Sequence, residues 1–207
     1  MSKFINTADV IGEDALVDSI IDRSITEYKE NRVLKIGHYA FYGCTALAEV
    51  DLPNCTTIGS GAFQNCASLT DLNLPNCTTI ENNAFRGISV TEIDLPKCTR
   101  LGNEPFVSNT LIKADIGKLA SCGTSFRYCS NLRALILRGS SIPAASHVLV
   151  VGGTPIESGT GYIYVPRALV EDYKVATNWS TYATQFRALE DYTVDGTITG
   201  ELDETKI

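Results

Sequence analysis

The amino-acid sequence predicts a solenoid, an array of stacked repeats that each supply a short parallel strand. Phenylalanine recurs at spacings of 22, 22, 21 and 20 residues, and its positions are Phe41, Phe63, Phe85, Phe106 and Phe126. Five residues before the first four of them lies an aliphatic side chain (Ile36, Ile58, Ile80 and Leu101). Near-copies of one segment also follow the first three phenylalanines, namely LAEVDLPNC, LTDLNLPNC and VTEIDLPKC. Self-similarity at a fixed period is typical of solenoids.

Within each repeat, the residues after the phenylalanine follow the pattern LxxLxLxxC. Val50, Asp51 and Leu52 alternate between apolar and polar, which predicts a short strand with one buried face. Pro53 follows at once and ends the strand, because proline donates no N–H to a sheet. This is the spacing of leucine-rich repeats. The predicted fold is therefore a leucine-rich-repeat solenoid (α/β, one short parallel strand per repeat of about 22 residues) with N- and C-terminal caps.

Before and within the repeats, the pattern predicts two parts. Residues 1–35 form an N-terminal cap, and residues 36–142 form five repeats in which the phenylalanines build a second internal stack. The cap is expected to contain a helix at Glu13–Ile21 and the strands of an incomplete repeat at Ile25–Tyr28 and Val33–Ile36. A cap is needed because the end of a stack otherwise exposes its apolar positions.

Residues 143–207 break the repeat pattern and are predicted to close the array. We expect strands at His147–Val151 and Tyr162–Val165, a helix at Arg167–Ala176 and further helical turns around Trp179, Tyr182 and Phe186. Pro166 suits the first turn of that helix. For Trp179, packing against the last repeat is favoured over ligand binding. The acidic segment 191–207 has little reason to order by itself, so a partner or a symmetric homo-oligomer is expected to hold it.

Composition excludes several classes of partner. The formal net charge is −7, which argues against non-specific binding to nucleic acid or to an anionic membrane. No stretch approaches the roughly 18 consecutive apolar residues of a membrane span. The first residues lack the apolar core of a signal peptide, because Asp9, Glu13 and Asp14 interrupt it. These features predict a protein made in the cytoplasm and not exported by the usual route.

The seven cysteines recur because the repeat recurs. Cys55, Cys77 and Cys98 share one repeat position, and another is shared by Cys44, Cys66 and Cys129. Buried reduced thiols are favoured over disulfides between stacked neighbours, because the number of cysteines is odd and no export signal is found. Zinc is less favoured still, since no CxxC pair occurs and the spacing of His38 and His147 to the cysteines does not suit a metal site.

No motif predicts catalysis or cofactor binding. Neither His38 nor His147 lies beside a nucleophile elbow, and the Gly159–Gly161 turn lacks the lysine of a phosphate loop. The chain is therefore predicted to be no enzyme and to hold no metal or cofactor.

Outward positions of the predicted strands form two mostly acidic rows. One row comprises Glu49, Asp71 and Glu92, and the other comprises Asp51, Asn73, Asp94 and Asp115. A solvated face that opposes association is the simpler interpretation, since like charges a strand apart repel. The alternative is a binding site for a cation, a basic partner or a hydroxyl-rich glycan.

Residues 36–142, with the repeated form IGxxAFxxCxxLxxVxLPxC, resemble the BspA-like leucine-rich repeats. The segments GTGYIYVP (159–166) and YKVATNWSTYA (173–183) are similar to the closing module of BspA-type proteins encoded by phages and prophages of Gram-positive bacteria. This resemblance implies a virion structural protein (a fibre, decoration or tail-tip component) that contacts other virion proteins and presents its repeats to a host protein or glycan. The alternative is a bacterial surface adhesin or interaction module. An enzyme is a distant third.

Overall fold

A computed structural model describes residues 10–11, 23–194 and 197–198, and it shows a parallel-strand solenoid of about seven turns. Each turn contributes one strand of two residues and, on the opposite side, one longer strand. The helix expected at Glu13–Ile21 and most of the acidic segment 191–207 lie outside the described residues. The predicted fold class is confirmed.

The two-residue strands form one continuous parallel sheet, here called the short-strand sheet. Its register pairs Ile36 with Ile58, Ile58 with Ile80, and Ile80 with Leu101. The recurring aliphatic position is thus the inward residue of this sheet. The strands, in spatial order, are β1 (Val10–Ile11), β3 (Lys35–Ile36), β5 (Thr57–Ile58), β7 (Thr79–Ile80), β9 (Arg100–Leu101), β11 (Ser121–Cys122) and β13 (Ala144–Ala145).

The longer strands form the opposite side, and their outward surface is here called the long-strand face. An N-terminal block contains β2 (Glu27–Lys29), β4 (Glu49–Asp51) and β6 (Asp71–Asn73). A C-terminal block contains β8 (Glu92–Leu95), β10 (Lys113–Ile116), β12 (Ala134–Leu137), β14 (Tyr162–Val165) and β15 (Phe186–Ala188). Both blocks are parallel, whereas β16 (Thr193–Val194) and β17 (Thr197–Ile198) form a separate antiparallel pair.

A breach separates the two blocks, because no ladder pairing joins β6 to β8. It lies where the repeat shortens: Leu69 follows its phenylalanine by six residues and Val90 follows by five. Inward-facing Leu72 is only partly buried at this point, although its counterparts Val50 and Ile93 are buried. The short-strand sheet continues without interruption behind the breach.

The core is one cluster that runs the length of the solenoid. The predicted phenylalanine stack is confirmed: from Phe41 to Phe126, successive ring centroids lie 4.9, 5.3, 5.7 and 5.8 Å apart with interplanar angles of at most 13°. Tyr28 extends the stack by one ring at the N-terminal end. Because these rings touch mainly the turns before and after them, each turn depends on its neighbours for burial.

The turn that carries each phenylalanine needs left-handed backbone on both sides of it. Two residues before the ring, Gly61 and Asn83 have φ of 62° and 54°, and two residues after it, Asn65 and Gly87 have φ of 63° and 77°. Glycine and asparagine tolerate this conformation best. Tyr39, Glu104 and Tyr128 adopt it as well.

The solenoid extends past the last phenylalanine. Phe126 N–H donates to Val150 O, just as Phe41 N–H donates to Ala62 O, so Val150 and Val151 occupy the places of the Ala-Phe pair. The strand predicted at His147–Val151 is therefore wrong: this segment is the turn, and the strand is β13 at Ala144–Ala145. Both sheets continue beyond residue 142, while the bounds 1–35, 36–142 and 143–207 stay a prediction.

The C-terminal segment closes the last turn with side-chain donors. A 3-10 turn at Arg167–Leu169 leads into α1 (Val170–Val175), and further 3-10 turns lie at Ser180–Tyr182 and Leu189–Asp191. The prediction of a helix after Pro166 is confirmed, but Phe186, expected in a helical turn, lies in β15. None of the helices among the described residues is long and apolar enough to cross a membrane.

Three side chains of this segment replace the backbone donors that a further repeat would supply. Trp179 Nε1 donates to Pro143 O at 2.9 Å, Tyr182 Oη to Val148 O at 2.6 Å and Asn178 Nδ2 to Ala145 O at 2.6 Å. Trp179 is 1% exposed. Its predicted packing role is confirmed.

Replacing a ring in the middle of the stack should destabilise the whole array. We expect Phe85→Ala to cost about 3–5 kcal/mol in urea unfolding, because it opens a cavity between two turns. Phe85→Leu, which keeps most of the volume, should cost under about 1.5 kcal/mol. Equal and small losses for the two variants would contradict the stacking account.

Removing one donor from the C-terminal closure should leave a buried carbonyl unsatisfied. Trp179→Phe keeps most of the apolar volume but loses the bond to Pro143 O, so we expect a loss of about 1–3 kcal/mol in thermal or urea unfolding. Tyr162→Phe, at a partly exposed position outside the closure, is the control and should change stability by under about 0.5 kcal/mol.

Candidate binding face

The N-terminal block of the long-strand face is polar, and its charges are partly paired. Lys29 Nζ lies 2.6 Å from Glu49 Oε2 and 3.2 Å from Glu27 Oε2. Its hydrogen bonds to Glu49 and Glu27 raise the pKa of Lys29. Asn73 Nδ2 donates to Asp51 Oδ1 at 2.8 Å. Asp71 is exposed and completes a row with Glu27 and Glu49 in register.

In the C-terminal block, two outward carboxylates form ion pairs with basic side chains. Glu92 pairs with Lys113 across adjacent strands. Asp115 accepts from Nε and Nη2 of Arg138, both at 2.7 Å, in a bidentate pair. Asp115 is 8% exposed although its strand position points outward. Such a pair holds both side chains in place more than it adds net stability.

The structure therefore brings the predicted acidic rows together only in part. Glu49 lies beside Asp71, and Asp94 lies beside Asp115, each pair in register on neighbouring strands. Neither row crosses the breach between β6 and β8 as a paired ladder. Lys29 and Arg138, which neutralise part of this face, were not assigned to it from the sequence. Whether the predicted residues bind a ligand stays a prediction.

A cluster of tyrosines on the C-terminal block was also missed. Tyr162 and Tyr164 point outward from β14, since the residues between and after them are buried. Their ring centroids lie 6.3 Å apart, and the ring of Tyr192 lies 4.6 Å from that of Tyr164. The Arg187 guanidinium lies 4.3 Å from the Tyr162 centroid. The alternation of Tyr162-Ile-Tyr-Val predicts the strand, and the same alternation is the signal that places both tyrosines on its outward side.

His38, Ser60 and Glu81 meet on the edge of three successive turns. The Ser60 backbone N–H donates to His38 Nδ1 at 3.0 Å, and the Ser60 hydroxyl donates to Glu81 Oε2 at 2.9 Å. A serine nucleophile needs its hydroxyl on a histidine nitrogen. Here the Ser60 hydroxyl donates to the Glu81 carboxylate instead, so the cluster links successive turns of the solenoid. Elsewhere, His147 Nδ1 accepts the Leu149 N–H within a turn.

All seven cysteines are buried free thiols in the structure, so their predicted burial is confirmed, while their reduced state in the cell stays a prediction. Cys66 Sγ donates to Phe41 O at 3.1 Å and Cys129 Sγ to Phe106 O at 2.9 Å, so these thiols link one turn to the preceding one. Burial raises the pKa of Cys66 to about 12 and that of Cys55 to about 11. Among the described residues, no group of three His, Cys, Asp or Glu side chains is placed to hold a metal ion.

Comparison with known families agrees with this geometry. The family model described as "BspA type Leucine rich repeat region (6 copies)" matches residues 22–133, more than half of the chain. The chain belongs to the BspA-type leucine-rich-repeat family. The match begins within the predicted cap and ends just before β12. No curated protein matches the chain significantly.

Two solved structures have a fold similar to that of this BspA-type chain. A leucine-rich repeat protein from Bacteroides ovatus ATCC 8483 is 23% identical, with a TM-score of 0.53 over 75% of this chain and 42% of that one. The pneumococcal vaccine antigen PcpA is 18% identical, with a TM-score of 0.60 over 79% of this chain and 40% of that one. The chain thus spans about two-fifths of the length of these proteins, and the likeness shows the fold alone.

The buried thiols of these BspA-type repeats should make the protein sensitive to alkali. The pKa of Cys55 and of Cys66 in the folded protein lies above the unfolded value near 8.5. Burial of these thiols therefore contributes its full stabilisation below about pH 8.5, and this stabilisation is lost as the pH rises toward 11–12. Between pH 8.5 and 9.5, each such buried thiol should lower the free energy of unfolding by about 1 kcal/mol.

The measurement is the urea midpoint from pH 7.5 to 9.5. A Cys66→Ala variant, which lacks one of these thiols, serves as the control and should show a shallower decline than the unmodified protein. A midpoint that does not change over this range would contradict the burial of the thiols.

Proposed function

We propose that the protein is a non-enzymatic adhesion module that binds a protein or glycan through its long-strand face. The observation that carries the proposal is the exposed, charge-bearing N-terminal block, held rigid by packed turns behind it. Glu27, Lys29, Asp71 and Asn73 are exposed there, on three strands in parallel register. A site on regular strands holds its side chains more accurately than a site on loops.

The chemistry of the other candidate groups also supports a binding role. Ser60 is bonded to Glu81 rather than to His38, and every cysteine is buried, with its pKa raised by burial where a shift is resolved. A reactive thiol would need exposure and a lowered pKa. Solenoids of this kind present extended surfaces suited to large partners.

The second part of the proposal concerns whether the protein belongs to a phage particle or to a bacterial surface. The resemblance of residues 159–166 and 173–183 to phage-encoded proteins favours a virion fibre, decoration or tail-tip protein. The fold is also similar to that of a pneumococcal vaccine antigen, which is compatible with the second candidate, a bacterial surface protein. Immunogold labelling of purified particles separates them: label on virions supports the first, and its absence overturns it and leaves the second.

A charge-reversal experiment tests the binding role. Asp51→Lys/Asp71→Lys should reduce binding of the labelled protein to a panel of fixed Gram-positive cells by about tenfold or more. The introduced lysines would repel a basic group of the partner that the two carboxylates attract. Glu171→Lys/Asp172→Lys, on exposed α1, is the control with the same change in charge. Equal binding by both variants and the unmodified protein would overturn the use of this face, and absence of cell binding would overturn the adhesion role.

A further inference from the structure

The C-terminal block of the long-strand face carries a layer of aromatic side chains that the adhesion proposal does not use. Tyr162, Tyr164 and Tyr192 form a row of rings in edge-to-face contact, here called the tyrosine floor. Each of the three is partly buried and keeps part of its surface exposed to solvent. Tyr192 comes from the segment after β15, so it is brought over the sheet by the chain's return rather than by a strand.

The floor is packed. Ile136, which pairs in register with Tyr164 and with Asp115, points outward but is 1% exposed and lies outside the solenoid core cluster. A side chain in that position is covered only if the outward layer closes over it. Burial and the neighbouring hydroxyls of Tyr192 and Tyr162 raise the pKa of Tyr164, in keeping with this close packing. Rings held in this way lose little conformational entropy when a ligand arrives.

Polar groups surround the floor in fixed positions. The Asp115–Arg138 and Glu92–Lys113 pairs lie close enough to Tyr192 for their charges to act on its hydroxyl. Arg138 also lines a cleft of about 180 Å³ with Lys118, Leu119 and the 139–141 segment. Carboxylate acceptors and guanidinium donors thus stand beside aromatic surface, with their charges largely balanced against each other.

We propose that the tyrosine floor binds a glycan chain by contact of its sugar rings with the solvent-exposed surfaces of Tyr162, Tyr164 and Tyr192. A pyranose ring offers a face of C–H groups to an aromatic surface and a rim of hydroxyls to paired donors and acceptors. Tyrosine suits this task because it combines an apolar ring with a polar end. A strongly charged partner would find most of the charges here already paired. The inference rests on the adhesion role and names its ligand class and contact residues.

Other tyrosines near the recurring phenylalanines are exposed, and two of them, Tyr39 (46% exposed) and Tyr128 (47% exposed), each pack on one side against a glycine of the next turn. A Cβ on Gly61 would lie 2.4 Å from the Tyr39 ring, and one on Gly153 would lie 3.1 Å from the Tyr128 ring. These tyrosines therefore cover glycines of the next turn. Tyr128 also carries an arginine, Arg127, at 4.4 Å from its centroid, much as Arg187 lies over Tyr162. Tyr128 is thus a matched control for the floor.

The test is binding of the purified full chain to an array of bacterial wall polysaccharides and neutral gluco- and galacto-oligosaccharides. Tyr164→Ala should weaken binding to the best array ligand by about tenfold or more, the loss typical of a central aromatic contact. Tyr164→Phe keeps the ring and should stay within about threefold, as should Tyr128→Ala. Tyr162→Ala serves as the second test variant if the thermal melt shows that Tyr164→Ala has not folded.

The salt dependence of binding separates contact with the tyrosine rings from ionic attraction. Binding that persists at 1 M NaCl, roughly a 3 Å screening length, supports the floor, whereas binding abolished by salt overturns it. A loss equal in Tyr128→Ala and Tyr164→Ala also overturns it, as does an array with no bound glycan. If the tyrosine variants bind cells normally while Asp51→Lys/Asp71→Lys does not, this inference fails and the adhesion role stands. If the unmodified protein binds no cells but binds a glycan of the array through Tyr164, the adhesion role fails and the glycan contact stands.

Discussion

The constraint on which this structure depends is that a single turn cannot bury its own apolar side chains. Phe63 and Phe85 are each covered by rings from the turns before and after them, and Ile58 and Ile80 pair in the sheet on the other side. Stability therefore comes from nearest-neighbour contacts repeated along one axis. The ends need special chemistry for the same reason, and Trp179 supplies part of it at the C-terminal end by satisfying a carbonyl that no further turn reaches.

This constraint leaves the outward surface of the long strands available for recognition. Inward positions such as Val50 and Leu135 are buried in the core, whereas on the opposite side Asp71 is exposed and Tyr162 keeps part of its surface exposed. The breach between β6 and β8 divides this surface into two chemically different parts. The first part is acidic and solvated, and the second is aromatic with paired charges. The two proposals assign cell contact to the first part and glycan contact with the tyrosine rings to the second.

Much of the fold could be predicted because the repeat is read from local spacing. The phenylalanine stack, the parallel strands and the packing of Trp179 all follow from positions that recur or from composition. The turn at Val150 and Val151 could not be predicted in the same way, because two valines fill the space of the Ala-Phe pair and remove the marker of the period. Cys122 likewise takes the place of an aliphatic residue in the short-strand sheet.

The candidate site was less predictable than the fold. Residues on one strand could be assigned to its outward side by alternation, so Glu49, Asp51 and Asp94 were placed correctly. What neutralises them depends on side chains that reach across strands, such as Arg138 to Asp115, and on a chain return that lays Tyr192 over Tyr164. Neither of these contacts produces a repeating pattern in the sequence. The breach also depends on how the turns stack in space, since the opposite change in repeat length, between Leu111 and Leu132, leaves β10 and β12 paired.

Native-state hydrogen exchange of the unmodified protein tests the central claim most directly. If continuous turn-on-turn pairing holds the molecule together, the short-strand amides of Ile58 and Ile80 should exchange slowly and at similar rates. The amide of Leu72, at the breach, should exchange faster than that of Val50, its counterpart one turn earlier in the paired block. Slow exchange at Leu72 equal to that at Val50, or fast exchange at Ile58 and Ile80, would contradict the account.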